Sequence, residues 1–168
     1  FKSSYVDGTR VADAIETAVS VPSSGGFSAV IEAEVDYTDG NDPAEAVLLR
    51  LYKDTDDYVD LNLATDAGTG GIELVTAIGG TALSVADGSS TLTPGTGVPI
   101  KAAFTVTTDH IAVAVNGAPA VEANNPTGVL PDVDGQGLEI VPSGDARVQL
   151  VSWFEALLDN AALQGASS

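Results

Sequence analysis

The sequence contains no cysteine and little positive charge. The absence of cysteine excludes disulfide bonds, thiolate catalysis and cysteine-ligated zinc from its 168 residues. Six Lys and Arg residues stand against 24 Asp and Glu residues, which gives a formal net charge of −18. No basic patch can neutralise nucleic-acid phosphates or an anionic membrane surface, so nucleic acid and anionic lipid are excluded as electrostatic partners.

Long apolar runs are also lacking. No segment approaches the roughly 20 apolar residues of a membrane helix, so membrane insertion is not expected. Hydrophobic residues nevertheless make up 44% of the chain, which is typical of a folded protein with a core rather than a disordered one. The length fits one domain over residues 1–168, in which 1–20 form a lead-in segment and a first strand. Because the chain begins at Phe1 rather than Met, we expect it to be one piece of a longer protein.

Apolar residues alternate with polar ones along most of the chain, and this period of two predicts β-strands. In 27–37 the side chains of Phe27, Ile31 and Val35 share one face, whereas in 58–64 Asp60 and Asn62 are expected to point outward. Further strands are predicted at 46–52, 71–78, 81–86, 99–106, 110–123, 137–141 and 147–156. Residues 87–98 are expected to form a surface loop.

Two local sequence signals predict a hairpin turn and a short helix. Asn116-Gly117 predicts a two-residue hairpin turn inside 110–123, because both positions tolerate a positive φ. A short C-terminal helix is predicted, with Asp159 as its N-cap and Gly165 as its end. Leu158 and Leu163 are expected to hold it against the sheet edge. Many short antiparallel strands and one short helix predict an all-β fold, an antiparallel β-sandwich.

Two stretches carry a family resemblance. The C-terminal run "DHIAVAVNGAPAVEA", "GLEIV" and "RVQLVSWFEALLDNAALQGASS" resembles the end of concanavalin A-like (laminin G-like) jelly-roll domains. The N-terminal "SSYVDGTRVADAI" is similar to the lead-in of such domains in bacteriophage tail, fibre and head-spike proteins, although its spacer is shorter; the matching residues are Ser4, Tyr5, Thr9, Arg10, Ala12 and Asp13. The resemblance implies two antiparallel sheets of about six or seven strands. Members of the family bind glycans or proteins, build larger assemblies, or in a minority hydrolyse glycosides.

An acidic cluster lies between the strands 46–52 and 58–64. We interpret Asp54, Asp56 and Asp57 as turn residues whose carboxylates bind nearby backbone N–H groups. A calcium site is the alternative, but the loop has neither the glycine nor the distal glutamate of a common calcium loop. The loop 36–46, with Asp39, Asn41 and Asp42, allows the same two interpretations.

A second acidic group lies within a predicted strand. Glu32, Glu34 and Asp36 alternate, so they share one face with neighbours about 7 Å apart. Paired carboxylates at such a distance suit glycoside hydrolysis. The competing interpretation is the polar outer face of an amphipathic strand. We expect no catalytic residues, with this trio as the alternative.

Other candidates are single residues. Trp153 is expected to pack in the core, with a sugar-stacking platform as the alternative and as the candidate glycan-binding residue. His110 is expected at an exposed strand end. Arg50 and Arg147 are expected to pair with carboxylates, and Arg10 with Asp7 or Asp13.

These observations leave three functional hypotheses. The first is a non-enzymatic structural or adhesion module on the exterior of a virus particle, located on the virion or otherwise extracellular. Its partners would be other virion proteins, further copies of itself in a homo-oligomer, and host-surface polysaccharide. The second is a lectin-like glycan-binding domain, with calcium as an optional cofactor. The third is a glycoside hydrolase.

Overall fold

The fold was analysed in a computed structural model of the chain. It describes residues 17–18, 25–37, 44–66, 69–86, 92–93, 95–133, 137–140, 146–154 and 156–168. The lead-in motif around Thr9 and Arg10 and the loop with Asp39, Asn41 and Asp42 lie outside these residues.

Most of the described chain is β-strand. Its elements are β1 (Thr17–Ala18), β2 (Gly26–Tyr37), β3 (Ala44–Tyr52), β4 (Tyr58–Asp66), β5 (Thr69–Ile78), β6 (Thr81–Ala86), β7 (Gly95–Thr107), β8 (His110–Val115), β9 (Val121–Asn124), β10 (Gly137–Ile140), β11 (Ala146–Phe154) and α1 (Asn160–Ala166). The predicted loop 87–98 is too long, because β7 already begins at Gly95 and Leu92 pairs with Gly70 through two backbone hydrogen bonds.

The strands form two antiparallel sheets. One has six described strands in the order β1-β10-β3-β4-β5-β6, and the other has five in the order β11-β2-β7-β8-β9. The fold is therefore a jelly-roll β-sandwich with a short C-terminal helix, as the sequence and its family resemblance predict. The longest strands, β2 and β7, pair along almost their whole length at the centre of the five-stranded sheet.

The core lies between the sheets. Successive side chains of a strand point to opposite faces, so one residue in two enters the core. Phe27 and Phe104 meet edge to face at its centre, with their ring centroids 6.3 Å apart. Val59, Leu61 and Leu63 of β4 join the same core cluster from the opposite sheet and are almost fully buried. Burial of these residues confirms the alternation predicted for 27–37 and 58–64.

Helix α1 lies on the outer face of the five-stranded sheet. Leu163 is fully buried there against the small outward side chains of Ala103, Ala112 and Ala114. The Asp159 side chain accepts a hydrogen bond from the backbone N–H of Ala162, which confirms the predicted N-cap. The prediction that Gly165 ends the helix is wrong, since α1 continues to Ala166. The helix also lies on the face rather than at the sheet edge, because three alanines leave room for it.

Two buried hydroxyl groups fasten the segment before α1. Ser28 Oγ and Thr105 Oγ1 lie 2.6 Å apart on neighbouring strands. Ser28 Oγ accepts a hydrogen bond from the Leu158 N–H, and Thr105 Oγ1 donates one to the Leu158 carbonyl. The pair therefore satisfies both backbone groups of the residue that leads into the helix.

The Asn116-Gly117 turn forms, but the predicted hairpin register is wrong. Both residues have a positive φ, of 49° and 77°, and the Ala118 N–H donates to the Val115 carbonyl. Pairing of β8 with β9 nevertheless begins only at Val113 and Val121. At this turn the Asn116 side chain bonds to the backbone of β7, accepting from the Lys101 N–H and donating to the Pro99 carbonyl.

We expect Thr105→Val to lower the free energy of unfolding by about 1–3 kcal/mol, because it leaves buried polar groups without a partner. Denaturant unfolding followed by tryptophan fluorescence measures the change. Thr96→Val is the matched control, since Thr96 is an exposed residue of the same strand. Equal stability of the two variants would contradict a structural role for the hydroxyl pair.

Candidate functional site

The outer face of the six-stranded sheet gathers large polar and aromatic side chains. They alternate with the core residues of β3, β4, β5 and β10. We call this surface the polar face and define it by Arg50, Tyr52, Tyr58, Asp60, Asn62, Glu73 and Glu139. Strand pairing places Arg50 between Glu139 and Asp60, and Asn62 beside Glu73.

A bidentate ion pair lies at the centre of the polar face. Arg50 Nε donates to Asp60 Oδ1 at 2.8 Å, and an Arg50 Nη donates to Asp60 Oδ2 at 2.6 Å. The Asp60 side chain is 5% exposed and that of Arg50 is 38% exposed. The hydrogen bonds to Asp60 raise the pKa of the guanidinium above its ordinary value, and they outweigh the opposing effect of burial. The ion pair confirms the prediction that Arg50 pairs with a carboxylate. It also allows the charged Asp60 side chain to remain buried.

Two tyrosines lie side by side next to this pair. Tyr52 and Tyr58 are direct cross-strand partners on β3 and β4. The Arg50 guanidinium carbon lies 5.8 Å from the centre of the Tyr58 ring, within the range of a cation–π contact. Gly137 makes room for Tyr52, because a Cβ at that position would lie 2.9 Å from the Tyr52 ring. The absence of a side chain at Gly137 of β10 thus lets the Tyr52 ring lie on the sheet surface.

Asn62 and Glu73 extend the polar face along the same strands. Asn62 points outward, as predicted, yet it is 4% exposed, and its Oδ1 has no hydrogen-bond partner in the described part of the chain. Glu73 is half-buried directly beside it. The two residues therefore place a carboxylate and an unsatisfied amide oxygen together.

The aspartates between β3 and β4 bind backbone groups. Asp54 Oδ1 accepts hydrogen bonds from the N–H groups of Asp56 and Asp57. Asp57 Oδ1 accepts from the N–H groups of Gly79 and Asp132, so it connects three loops. Among the described residues, no group of three or more acidic or histidine side chains is arranged to hold a metal ion. These hydrogen bonds bear out the predicted turn contacts.

The acidic trio of β2 lies on the outer face of the other sheet, and each member has a partner. Glu32 is 3.3 Å from Lys101 Nζ, and Glu34 is 3.4 Å from Arg147. Asp36 accepts a hydrogen bond of 2.6 Å from the Gly97 N–H. The trio shares one face, as the alternation predicts, but it lies on the opposite sheet from the polar face. The geometry supports the amphipathic-strand interpretation.

The remaining single candidates have structural contacts. Trp153 of β11 is the cross-strand partner of Ala29 of β2. It packs against the core, with its ring centroid 5.9 Å from that of Phe27. The His110 ring is half-buried, and its Nδ1 is 3.3 Å from Thr107 Oγ1. Arg10 lies outside the described residues. Neither Trp153 nor His110 belongs to the polar face.

The sequence analysis missed the tyrosines and Glu73 as site residues. A usable signal was present: a reversal over 53–57, centred on residue 55, places residues 50 and 60, and 52 and 58, opposite each other. Period-two alternation then puts all four on the face that carries Asp60.

No protein-family model matches the sequence, and a search of curated proteins finds no relative. Within the described residues, no helix has the length and apolar character needed to cross a membrane.

Solved structures with the same fold include congerin II liganded with lactose and MES, at a TM-score of 0.53 and 16% identity over 84% of this chain and 100% of that chain. CG-16, a homodimeric agglutinin from chicken liver, has a TM-score of 0.52 and 13% identity over 83% of this chain and 99% of that chain. The receptor-binding domain of botulinum neurotoxin C/D mosaic serotype has a TM-score of 0.63 and 12% identity over 85% of this chain, which spans 36% of that chain. At these identities the similarity establishes the fold.

We expect Arg50→Met to lower the free energy of unfolding by about 2–4 kcal/mol, because it leaves the buried Asp60 carboxylate without its cation. Arg147→Met is the matched control and should cost no more than about 1 kcal/mol, since Arg147 is 79% exposed. Chemical denaturation of both variants measures the difference. Equal losses would show that the buried pair contributes no more than an exposed one.

We expect millimolar calcium to leave the melting temperature unchanged, because backbone N–H groups already occupy carboxylate oxygens of Asp54 and Asp57. Differential scanning calorimetry with calcium and with a chelator measures this. A ligand that binds the folded state raises its stability, so an increase with calcium would restore the metal alternative.

Proposed function

We propose that this domain is a non-enzymatic glycan-binding module and that the polar face is its binding surface. The observation that carries the proposal is the placement of Tyr52, Tyr58 and Arg50 together on one outer sheet surface. Aromatic rings offer apolar faces to pyranose rings, and charged hydrogen-bond donors orient hydroxyl groups.

Arg50 has donors left for a ligand. A guanidinium carries five N–H donors, and the pair with Asp60 uses two of them, which leaves three without a partner in the part of the chain that the structure describes. The Asp60 carboxylate holds the guanidinium plane in one orientation, so a ligand need not order this long side chain. Such preorganisation reduces the entropy that binding would cost.

The structural neighbours support the same class of function. Congerin II with lactose bound and the agglutinin CG-16 have this sandwich fold, and CG-16 is a homodimer. Fold alone does not assign a function, so the argument depends on the polar face of this chain. Assembly of this chain as a homo-oligomer belongs to the proposal.

The virion hypothesis also remains a proposal. Its support is the resemblance of 3–15 to lead-in segments of bacteriophage fibre, tail and head-spike proteins, together with a strongly acidic surface that stays in solvent. An exterior virion module that binds host-surface polysaccharide would unite this hypothesis with glycan binding.

We expect the labelled protein to bind at least one glycan on an array, equally with and without a calcium chelator. Tyr58→Leu should weaken that binding about tenfold, because it removes the aromatic face and keeps an apolar side chain. Phe154→Leu is the matched control, since Phe154 is an aromatic residue of the other sheet and is 38% exposed.

Titration of the best array glycan into each folded variant gives the affinities. Absence of any glycan ligand would end the proposal. Equal weakening by both substitutions would move the binding surface away from the polar face.

A further inference from the structure

Three of the four large hydrophobic side chains that are exposed in the described chain lie at one edge of the sandwich. Leu150 and Phe154 of β11 are 45% and 38% exposed, and Leu157, which follows the strand, is 48% exposed. Within the described residues β11 pairs only with β2, so its other edge offers backbone N–H and carbonyl groups to a further strand. An apolar strand edge of this kind fits a partner that is itself a strand.

Most of β11 lacks the features that protect exposed edges. Proteins protect such edges with charges, prolines or bulges. Arg147 and a bulge between Val148 and Leu150 occur near the start of the strand. From Leu150 to Phe154 the strand carries no charge, no proline and no break in its register with β2. This stretch is therefore the part of β11 that a second strand can join.

The other described edges of the two sheets are less suited to such pairing. They are β1, β6 and β9. β1 has two residues, and β9 has four and includes Glu122. The described residues of β6 include no large hydrophobic side chain that is exposed. Among these edges, β11 alone combines length with exposed apolar side chains.

Charge also favours β11 as the place where a second copy of this chain makes contact. Two copies with a net charge of −18 repel each other, so they meet most easily where acidic groups are absent. β11 contains no Asp or Glu, and its one charged residue is Arg147. On the neighbouring strand, Glu32 lies 3.3 Å from Lys101 and Glu34 lies 3.4 Å from Arg147, so both acidic groups are paired with a cation.

We propose that β11 pairs with β11 of a second copy, antiparallel about a two-fold axis at Ser152, and that this contact forms a homodimer. In this register Leu150 of each copy lies opposite Phe154 of the other, and the two Ser152 residues are partners. All three side chains lie on the outer face of the five-stranded sheet, as do Glu32 and Ser28 beside them. Pairing of an aliphatic with an aromatic side chain stabilises neighbouring strands, and the symmetry forms this pair twice. The strand is thus complementary to itself.

Such a dimer presents both polar faces on one side. The two-fold axis between antiparallel neighbours in a continuous sheet is perpendicular to that sheet, so the same face of both halves points in one direction. Both six-stranded sheets then lie on the same side of the dimer. A surface that displays many glycans can engage both polar faces, and the second contact is intramolecular. This consequence rests on the proposed glycan-binding function, whereas the interface does not.

Disulfide cross-linking tests the register, because the chain has no cysteine of its own. In Ser152→Cys the two substituted residues are direct cross-strand partners, whose Cα atoms lie about 4.5–5.5 Å apart, and a disulfide spans this distance. Oxidation should convert most of this variant to a covalent dimer on a non-reducing gel. Asn124→Cys is the matched control and should stay monomeric there, since Asn124 is an exposed residue of β9 at the other edge of the same sheet.

Sedimentation equilibrium measures the assembly in solution. The wild-type chain should form dimers as its concentration rises. Leu150→Asp should raise the dissociation constant at least about tenfold, because the symmetry places two new charges in the contact. Val129→Asp is the matched control, since Val129 is the fourth exposed large hydrophobic residue, is 52% exposed and lies outside β11. Added salt should strengthen the dimer, because it screens the repulsion between two acidic copies.

The outcomes separate the interface from the glycan-binding function. A wild-type chain that stays monomeric, or equal dissociation constants for Leu150→Asp and Val129→Asp, would overturn the interface and leave glycan binding by the polar face standing. Equal cross-linking of Ser152→Cys and Asn124→Cys would also overturn it, and this measurement decides if Leu150→Asp fails to fold. Folded Leu150→Asp should keep its affinity for a soluble monovalent glycan and lose retention on a glycan-coated surface. Absence of any glycan ligand would end the proposed function and leave the dimer in place.

Discussion

Burial of the two inner sheet faces is the constraint on which the rest of this structure depends. Phe27 and Phe104 from one sheet, and Val59, Leu61 and Leu63 from the other, must all leave water together. Because side chains alternate along a strand, fixing the inner residues also fixes which residues face outward. Arg50, Tyr58, Asp60 and Asn62 thus acquire their positions from the burial of their neighbours. A slip of one residue in β4 would carry Asp60 into the core, and its charge makes that register costly.

The ion pair of Arg50 and Asp60 joins stability to the proposed function. It holds β3 and β4 in register on the outer face of the sheet, because a shifted strand would separate the buried Asp60 carboxylate from its cation. The same contact orients a guanidinium that keeps free donors. Stabilising the sheet and preparing a binding surface therefore need the same two side chains. Measured loss of ligand affinity in an Arg50 variant would for this reason mix binding with stability, which makes Tyr58 the more informative position.

Local signals in the sequence were sufficient for much of the fold. Alternation located the strands, Asp159 marked the start of α1, and Asn116-Gly117 marked a turn. Features that depend on contacts distant in sequence were not predictable in the same way. The Asn116 side chain binds β7, the β8–β9 pairing begins only at Val113 and Val121, and α1 rests on alanines from two different strands. The polar face combines residues from four strands, so its composition follows only from strand pairing. The missing partner of Asn62 Oδ1 has no sequence signature at all.

The two outer faces of the sandwich are used differently, and their side-chain sizes explain why. On the five-stranded sheet, Ala103, Ala112 and Ala114 form a low surface that a helix can approach closely, and Ser28 and Thr105 supply the polar contacts that fasten it. On the six-stranded sheet the outward positions include Arg50, Tyr58 and Glu73, whose side chains are much larger than alanine. The difference between a face covered by the chain's own helix and a face that presents polar and aromatic side chains therefore follows from the residues that core burial leaves outside.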